Sequence, residues 1–164
     1  MDNKVVTTIA RTLYDAGIAT LRFNFRGVGG SAGVYDAGEG ETADAVRIAE
    51  WGAQRWPGRR LVLAGFSFGC YVALRVAQDR SLARLITIAP PLERFDFSVL
   101  RAPLCPWLVV QGDADEVVEP RAVAAWARSL HPPPQLVLML GAGHFFHGRL
   151  ADLRDTVSDA IRSD

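Results

Sequence analysis

Ser67 sits in Gly65-Phe66-Ser67-Phe68-Gly69, with a glycine two residues away on either side. A serine hydroxyl is a poor nucleophile at neutral pH. To act as one it needs a base to take its proton and an acid to orient that base. Both types lie downstream, in Gly112-Asp113-Ala114-Asp115-Glu116-Val117-Val118 and in Gly141-Ala142-Gly143-His144. Gly-x-Ser-x-Gly is the nucleophile-elbow pattern, in which the serine tips a strained strand-to-helix turn. Side chains at the two glycine positions would collide there as strand and helix cross, so both glycines are expected to be required. The chemistry in prospect is acyl transfer to water: Ser67 attacks, His144 takes and returns the proton, and one carboxylate of the Asp113/Asp115 pair steadies the imidazole. The plainer alternatives are a small residue at a strand-helix junction for Ser67 and a helix-capping loop residue for His144.

These residues need elements to bring them together. Val5, Val6, Ile9, Ala10 and Leu13 recur at helical spacing and stop at Asp15-Ala16-Gly17, which predicts an opening helix. Ile18 to Phe25 has the β-branched and aromatic enrichment of a strand, with Leu21, Phe23 and Phe25 on one face, and leads into the glycine-rich loop RGVGGSAG. A helix is expected from about Glu41 to Trp56, ending at Pro57-Gly58, and then a strand over Arg60 to Phe66, apolar enough to be buried on both faces. Phe68 to Gln78 reads as a helix, Arg84 to Ala89 and Pro106 to Gln111 as strands, and Pro120 to Leu130 as a helix with proline at its first position. A strand at Gln135 to Leu140 and a helix with Leu150, Leu153, Val157 and Ile161 on one face complete the pattern. Strands alternating with helices predict an α/β fold, one domain over residues 1–164, with a mostly parallel sheet and helices on both faces. In a parallel sheet every strand's C-terminal end lies on one edge, so Ser67, the Asp pair and His144 can converge there.

Composition removes several function classes. Lys plus Arg equals Asp plus Glu, 18 each, so there is no electrostatic footprint for nucleic acid or an anionic membrane. The N-terminal segment has polar residues breaking its apolar ones, and neither a signal peptide nor a membrane span is expected. Cys70 and Cys105 lack C-x-x-C spacing and lie in apolar runs, which fits buried thiols in the cytoplasm. RGVGGSAG lacks the Gly-Lys-Ser/Thr ending of a P-loop. His144 and His147 stand three apart with no His-Glu-x-x-His and no third ligand, so neither a metal nor a cofactor is expected. His131, in His-Pro-Pro-Pro, reads as an exposed loop residue, and Cys70 as packing. Phe66, Phe68, Phe95, Phe97, Phe145 and Phe146 are candidates for an acyl pocket, with core packing the default for each.

Four blocks, LRFNFRGVGGSAG, GFSFG, QGDADEVVEP and GAGHFFHGRL, together resemble in order and position the α/β-hydrolase superfamily, in particular its small lidless bacterial members similar to dienelactone hydrolase and short-chain esterases. Ser, then Asp, then His is that superfamily's chain order. The resemblance implies Ser67, Asp115 and His144 as the catalytic residues, with Asp113 serving turn amides and the Phe68 amide as one oxyanion-hole donor. It implies a small-molecule acyl ester or thioester as substrate and no cofactor; it is silent on oligomeric state. It also implies a strand between those of Ile18 to Phe25 and Arg60 to Phe66, followed by a His-Pro-Gly loop carrying the second oxyanion amide. The sequence has no residues for either, so Met1 is expected to be an internal methionine of a longer protein. The competing expectation is a non-catalytic remnant or binding scaffold that keeps the three residues without a complete oxyanion hole.

Overall fold

A computed structural model describes residues 3–162. The chain runs α1 (Lys4–Asp15), α2 (Glu39–Arg55), β1 (Val62–Phe66), α3 (Phe68–Ala77), β2 (Arg84–Ile88), β3 (Trp107–Gly112), α4 (Pro120–Ser129), β4 (Gln135–Met139) and α5 (Leu150–Arg162). The four strands form one parallel sheet in the order β1-β2-β3-β4, with Gly65 beside Thr87, Ile88 beside Val110, and Gly112 beside Met139.

Local chemistry sets the helix ends. Asn3 Oδ1 accepts from the Val5 and Val6 amides at 3.0 and 3.2 Å and starts α1, and Gly17, at φ +80°, lets the chain leave it. Pro120 opens α4 where its missing N–H costs nothing, and the Glu119 carboxylate accepts the Arg121 amide. In α2 the buried Glu41 turns back to accept from the Asp36 and Gly38 amides, both at 2.9 Å.

Alternation along the central strands divides the core. Ile86, Ile88, Leu108 and Val110 face α1 and α5, meeting Val5, Ile9, Leu13, Leu153 and Val157; Leu85, Trp107 and Val109 face α3, α4 and the segment around Phe97. Each such aliphatic side chain contributes about 1.5–3 kcal/mol by leaving water. A smaller cluster joins Phe23, Phe25 and Leu63 to Val72 and Val76, under α2.

Two expectations need correction. Ile18 to Phe25 forms no strand and joins no sheet, and among the described residues no hydrogen bond uses the amides of residues 19–25. Strand β1 is an edge of the sheet, not a strand buried on both faces: Ala64 is exposed and Val62, Leu63 and Phe66 are only half-buried. The reason is common to both. An apolar run records which residues prefer the interior, whereas burial on both faces and a complete ladder also require a neighbour, and none of the described residues supplies one between these segments.

Candidate active site

The C-terminal edge of the sheet brings the candidate residues together. Ser67 follows β1 directly at φ +50°, ψ −120°, a conformation that side chains rarely adopt, and is fixed by its own amide donating to the Ile88 carbonyl at 2.9 Å and its carbonyl accepting from the Cys70 amide at 2.8 Å. The buried Cys70 thiol reaches the same Ile88 carbonyl (3.1 Å) and that of Gly65 (3.3 Å). Burial in this apolar setting pushes that thiol far up, so it is a packing and hydrogen-bonding group rather than a thiolate.

The two glycines differ. A Cβ on Gly65 would lie 2.2 Å from the Gly69 carbonyl oxygen, a contact that no side chain can occupy. A Cβ on Gly69 would meet only Phe25 Cζ, at 4.0 Å. The expectation that both glycines avoid a collision is therefore corrected: the close approach is between Gly65 and the Gly69 backbone, and it constrains only the first.

Asp115 and His144 come from the loops after β3 and β4, and carboxylates of the first loop bind the second. The Asp113 amide donates to Met139 O (3.1 Å) and the Ala114 amide to Ala142 O (3.1 Å). Asp113 Oδ1 accepts from the Gly141 amide at 2.6 Å, and Glu116 Oε2 from the His144 amide at 3.1 Å. The loops touch so closely that a Cβ on Gly112 would lie 2.1 Å from Ala142 O. Asp113 thus serves a turn amide and stays off the imidazole. Glu116, which sequence reasoning passed over, fixes the backbone of His144.

His144 Nδ1 lies 2.9 Å from Asp115 Oδ2 and 3.2 Å from Oδ1, and Nε2 lies 3.2 Å from Ser67 Oγ. Both the imidazole and the carboxylate are buried, 4% and 0% exposed, which removes competing water from the pair. Burial pushes the Asp115 carboxyl up, but hydrogen bonds from His144, from the Val118 and Val117 amides and from Gln111 outweigh it and hold the carboxyl below its usual range. A carboxylate on Nδ1 selects the tautomer with Nδ1–H, leaving Nε2 to accept the Ser67 proton. The Phe68 amide opens α3 and takes no part in any turn, loop or cap bond among the described residues, as suits a donor to an incoming oxyanion.

Aromatic rings flank this row. Phe66 and Phe145 stand 5.0 and 5.1 Å from the His144 ring, and Phe68 packs against Phe25, Tyr35 and Phe95 at 5.1, 5.7 and 5.1 Å. Phe97 and Phe146 are buried in the core instead. His131 and His147 are exposed, and Arg26 pairs with Asp44 at 2.9 Å, tying the start of the glycine-rich turn to α2. No helix among the described residues is long and apolar enough to cross a membrane.

Comparison with known proteins places this arrangement. The family described as serine aminopeptidase, S33 matches residues 3–103, a span that includes Ser67 and stops short of Asp115 and His144. A serine hydrolase without lid from Xanthomonas campestris is 51% identical and superposes with a TM-score of 0.95 over 99% of this chain and 74% of that one. An alpha-beta serine hydrolase homologue from Coxiella burnetii is 47% identical, TM-score 0.93, over 97% of this chain and 76% of its own. An uncharacterized protein from Rickettsia prowazekii is 34% identical over 98% of this chain and 72% of its own length. With a matching family, alpha-beta serine hydrolases as structural relatives and a parallel sheet carrying Ser67 at its elbow, the chain belongs to the α/β-hydrolase superfamily.

Proposed function

We propose that the chain is a serine hydrolase that cleaves a small ester or thioester in the cytoplasm through an acyl-enzyme intermediate. The observation that carries this reading is the continuous row from Ser67 Oγ through His144 to the Asp115 carboxylate, at 3.2 and 2.9 Å. Ser67 Oγ attacks the acyl carbon while its proton passes to Nε2. Asp115 stabilises the resulting imidazolium without taking the proton. The oxyanion receives the Phe68 amide, and the imidazolium then protonates the leaving alcohol or thiol. Water, deprotonated by the same nitrogen, releases the acid. The segment from Pro90 to Cys105 is too short for a substantial lid, which favours small soluble substrates over long lipids.

The second reading, a binding scaffold without turnover, draws support from the edge position of β1 and from Phe68 as one oxyanion donor, since loss of a single donor costs on the order of a hundred- to a thousand-fold. Two assays separate them. Hydrolysis of a short-chain nitrophenyl ester, abolished in Ser67→Ala, is the expected result; rates equal to background in both proteins would overturn the esterase reading for that substrate class. A fluorophosphonate probe, which forms an Oγ–P bond and expels fluoride, should label native protein and not Ser67→Ala. Labelling without turnover would favour the scaffold.

A further inference from the structure

Gln111 is fully buried near the end of β3, in a strand otherwise apolar from Trp107 to Val110, where leucine or methionine would fill the space. Its Nε2 donates to Asp115 Oδ2 at 2.9 Å and to the Gly112 carbonyl at 3.1 Å. That orientation is forced, because reversing the amide would set Oε1 against two acceptors. The consequence falls on Oε1, which is buried with no partner among the described residues. An unmet interior acceptor lowers stability, so the core gains nothing from a glutamine here.

What gains is the carboxylate. Asp115 Oδ1 is tied by the Val117 and Val118 amides, both at 2.8 Å, and Oδ2 takes Gln111 and His144 Nδ1, each at 2.9 Å. The two amides hold one oxygen; only Gln111 and the imidazole fix the other, and with it the plane of the carboxylate. We propose that Gln111 is a positioning residue of the site: it locks the Asp115 carboxylate plane and takes part of the charge on Oδ2, thereby setting how strongly His144 holds its proton. This rests on the reading of His144 as the base.

The other groups around the imidazole leave this assignment to Gln111. From the loop after β3, the charges near it are Asp115 and Glu116, and Glu116 is spent on the His144 amide. From the end of β1 and the turn after it come the Phe66 ring and the Ser67 hydroxyl, and on its own loop His147 is in ring contact with Phe145.

Gln111→Met, close in length and without a donor, tests the proposal. The carboxylate then offers Oδ2 to the imidazolium alone. The NMR titration of the His144 ring, assigned with His131→Gln and His147→Gln, should move to higher pH than in native protein. The acid limb of kcat/KM for nitrophenyl acetate should move with it, kcat should fall severalfold at unchanged KM, and Tm should not drop. A lower Tm with an unmoved titration and acid limb would reduce Gln111 to a structural residue and overturn the proposal. If native protein shows no Ser67-dependent hydrolysis, the hydrolase reading fails, while the ring titration still decides the role of Gln111. If Gln111→Met does not fold, the side-chain amide protons of Gln111 in native protein carry the test: they should shift as His144 titrates, and fixed resonances overturn it.

Discussion

The two sides of the sheet hold their share of the candidate active site differently. On the β3/β4 side, the loops carrying Asp115 and His144 are laced by backbone bonds at Asp113 and Ala114 and by the Asp113 and Glu116 carboxylates, on strands flanked by α1, α4 and α5. On the other side, Ser67 directly follows a strand with a single hydrogen-bonded neighbour among the described residues, and residues 19–25 offer amides that nothing among the described residues accepts. Redundant bonds hold the backbones of these two loops against the loss of any one. Ser67 depends on its tie to β2 through the Ile88 carbonyl.

The largest expected effect is in hydrogen exchange. Amides of Thr87, Ile88 and Val109 should open only with the whole fold, whereas those of Thr20, Leu21 and Arg22 should exchange through local fluctuations, a difference of at least about a thousandfold. Comparable protection in residues 19–25 would break the contrast and require an acceptor beyond the described residues.

Substitution of the two crossing glycines sharpens the same comparison. Gly112→Ala drives a methyl into Ala142 O, and β3, clamped between β2 and β4, has nowhere to move. A loss of about 3 kcal/mol or more is expected, read as a fall in urea midpoint. Gly65→Ala makes an equally short contact with the Gly69 carbonyl, but β1 can yield on its unpaired side. Its stability loss should be smaller, with Ser67-dependent hydrolysis suffering more than the fold. The reverse order would mean that β1 is the more rigid strand.

Much of this was legible in the sequence. Every helix and the four paired strands fall within a few residues of their predicted places, because apolar period, proline and glycine punctuate them locally. The convergence of Ser67, the Asp113/Asp115 pair and His144 followed from one rule, that parallel strands share a C-terminal edge; the choice of Asp115 within the pair came from the family resemblance. What periodicity alone missed was whatever depends on a neighbour. The apolar run before Ser67 reads as doubly buried whether or not a second strand lies beside it, and it was the family resemblance that pointed to a strand with no residues here, in keeping with the edge position of β1. Gly69 looks as constrained as Gly65 until the direction of its absent Cβ is known. Glu116 acts across two loops 28 residues apart, and Gln111 reaches His144 only through Asp115, four residues along from it. A signal existed for each: a third carboxylate in Asp-Ala-Asp-Glu, and one amide at the end of Trp-Leu-Val-Val.

The smallest effect is in acid stability, where each side has one buried carboxylate. On the Ser67 side, burial pushes Glu41 up, but the Asp36, Glu41 and Gly38 amides and the charge of Arg26 bring it below its usual range. On the other side Asp115 is lowered despite its burial. A group whose folded pKa is depressed contributes stability that is complete above its unfolded value, about 4, and is lost as pH falls through the folded value. Urea midpoints of native protein should therefore fall below pH 4, and removing either charge should flatten that fall. Glu41→Gln leaves one amide facing an N–H and should cost about 1–2 kcal/mol at pH 7. Asp115→Asn sets an NH2 against donors on one side or the other, and restoring a bond to His144 requires the tautomer with Nε2–H, which cannot accept the Ser67 proton. Its flattened acid slope should therefore come with loss of hydrolysis, whereas Glu41→Gln should retain hydrolysis under conditions where it is folded. Equal loss of hydrolysis in both variants would mean that the two sides of the sheet are coupled more tightly than their separate hydrogen-bond networks imply.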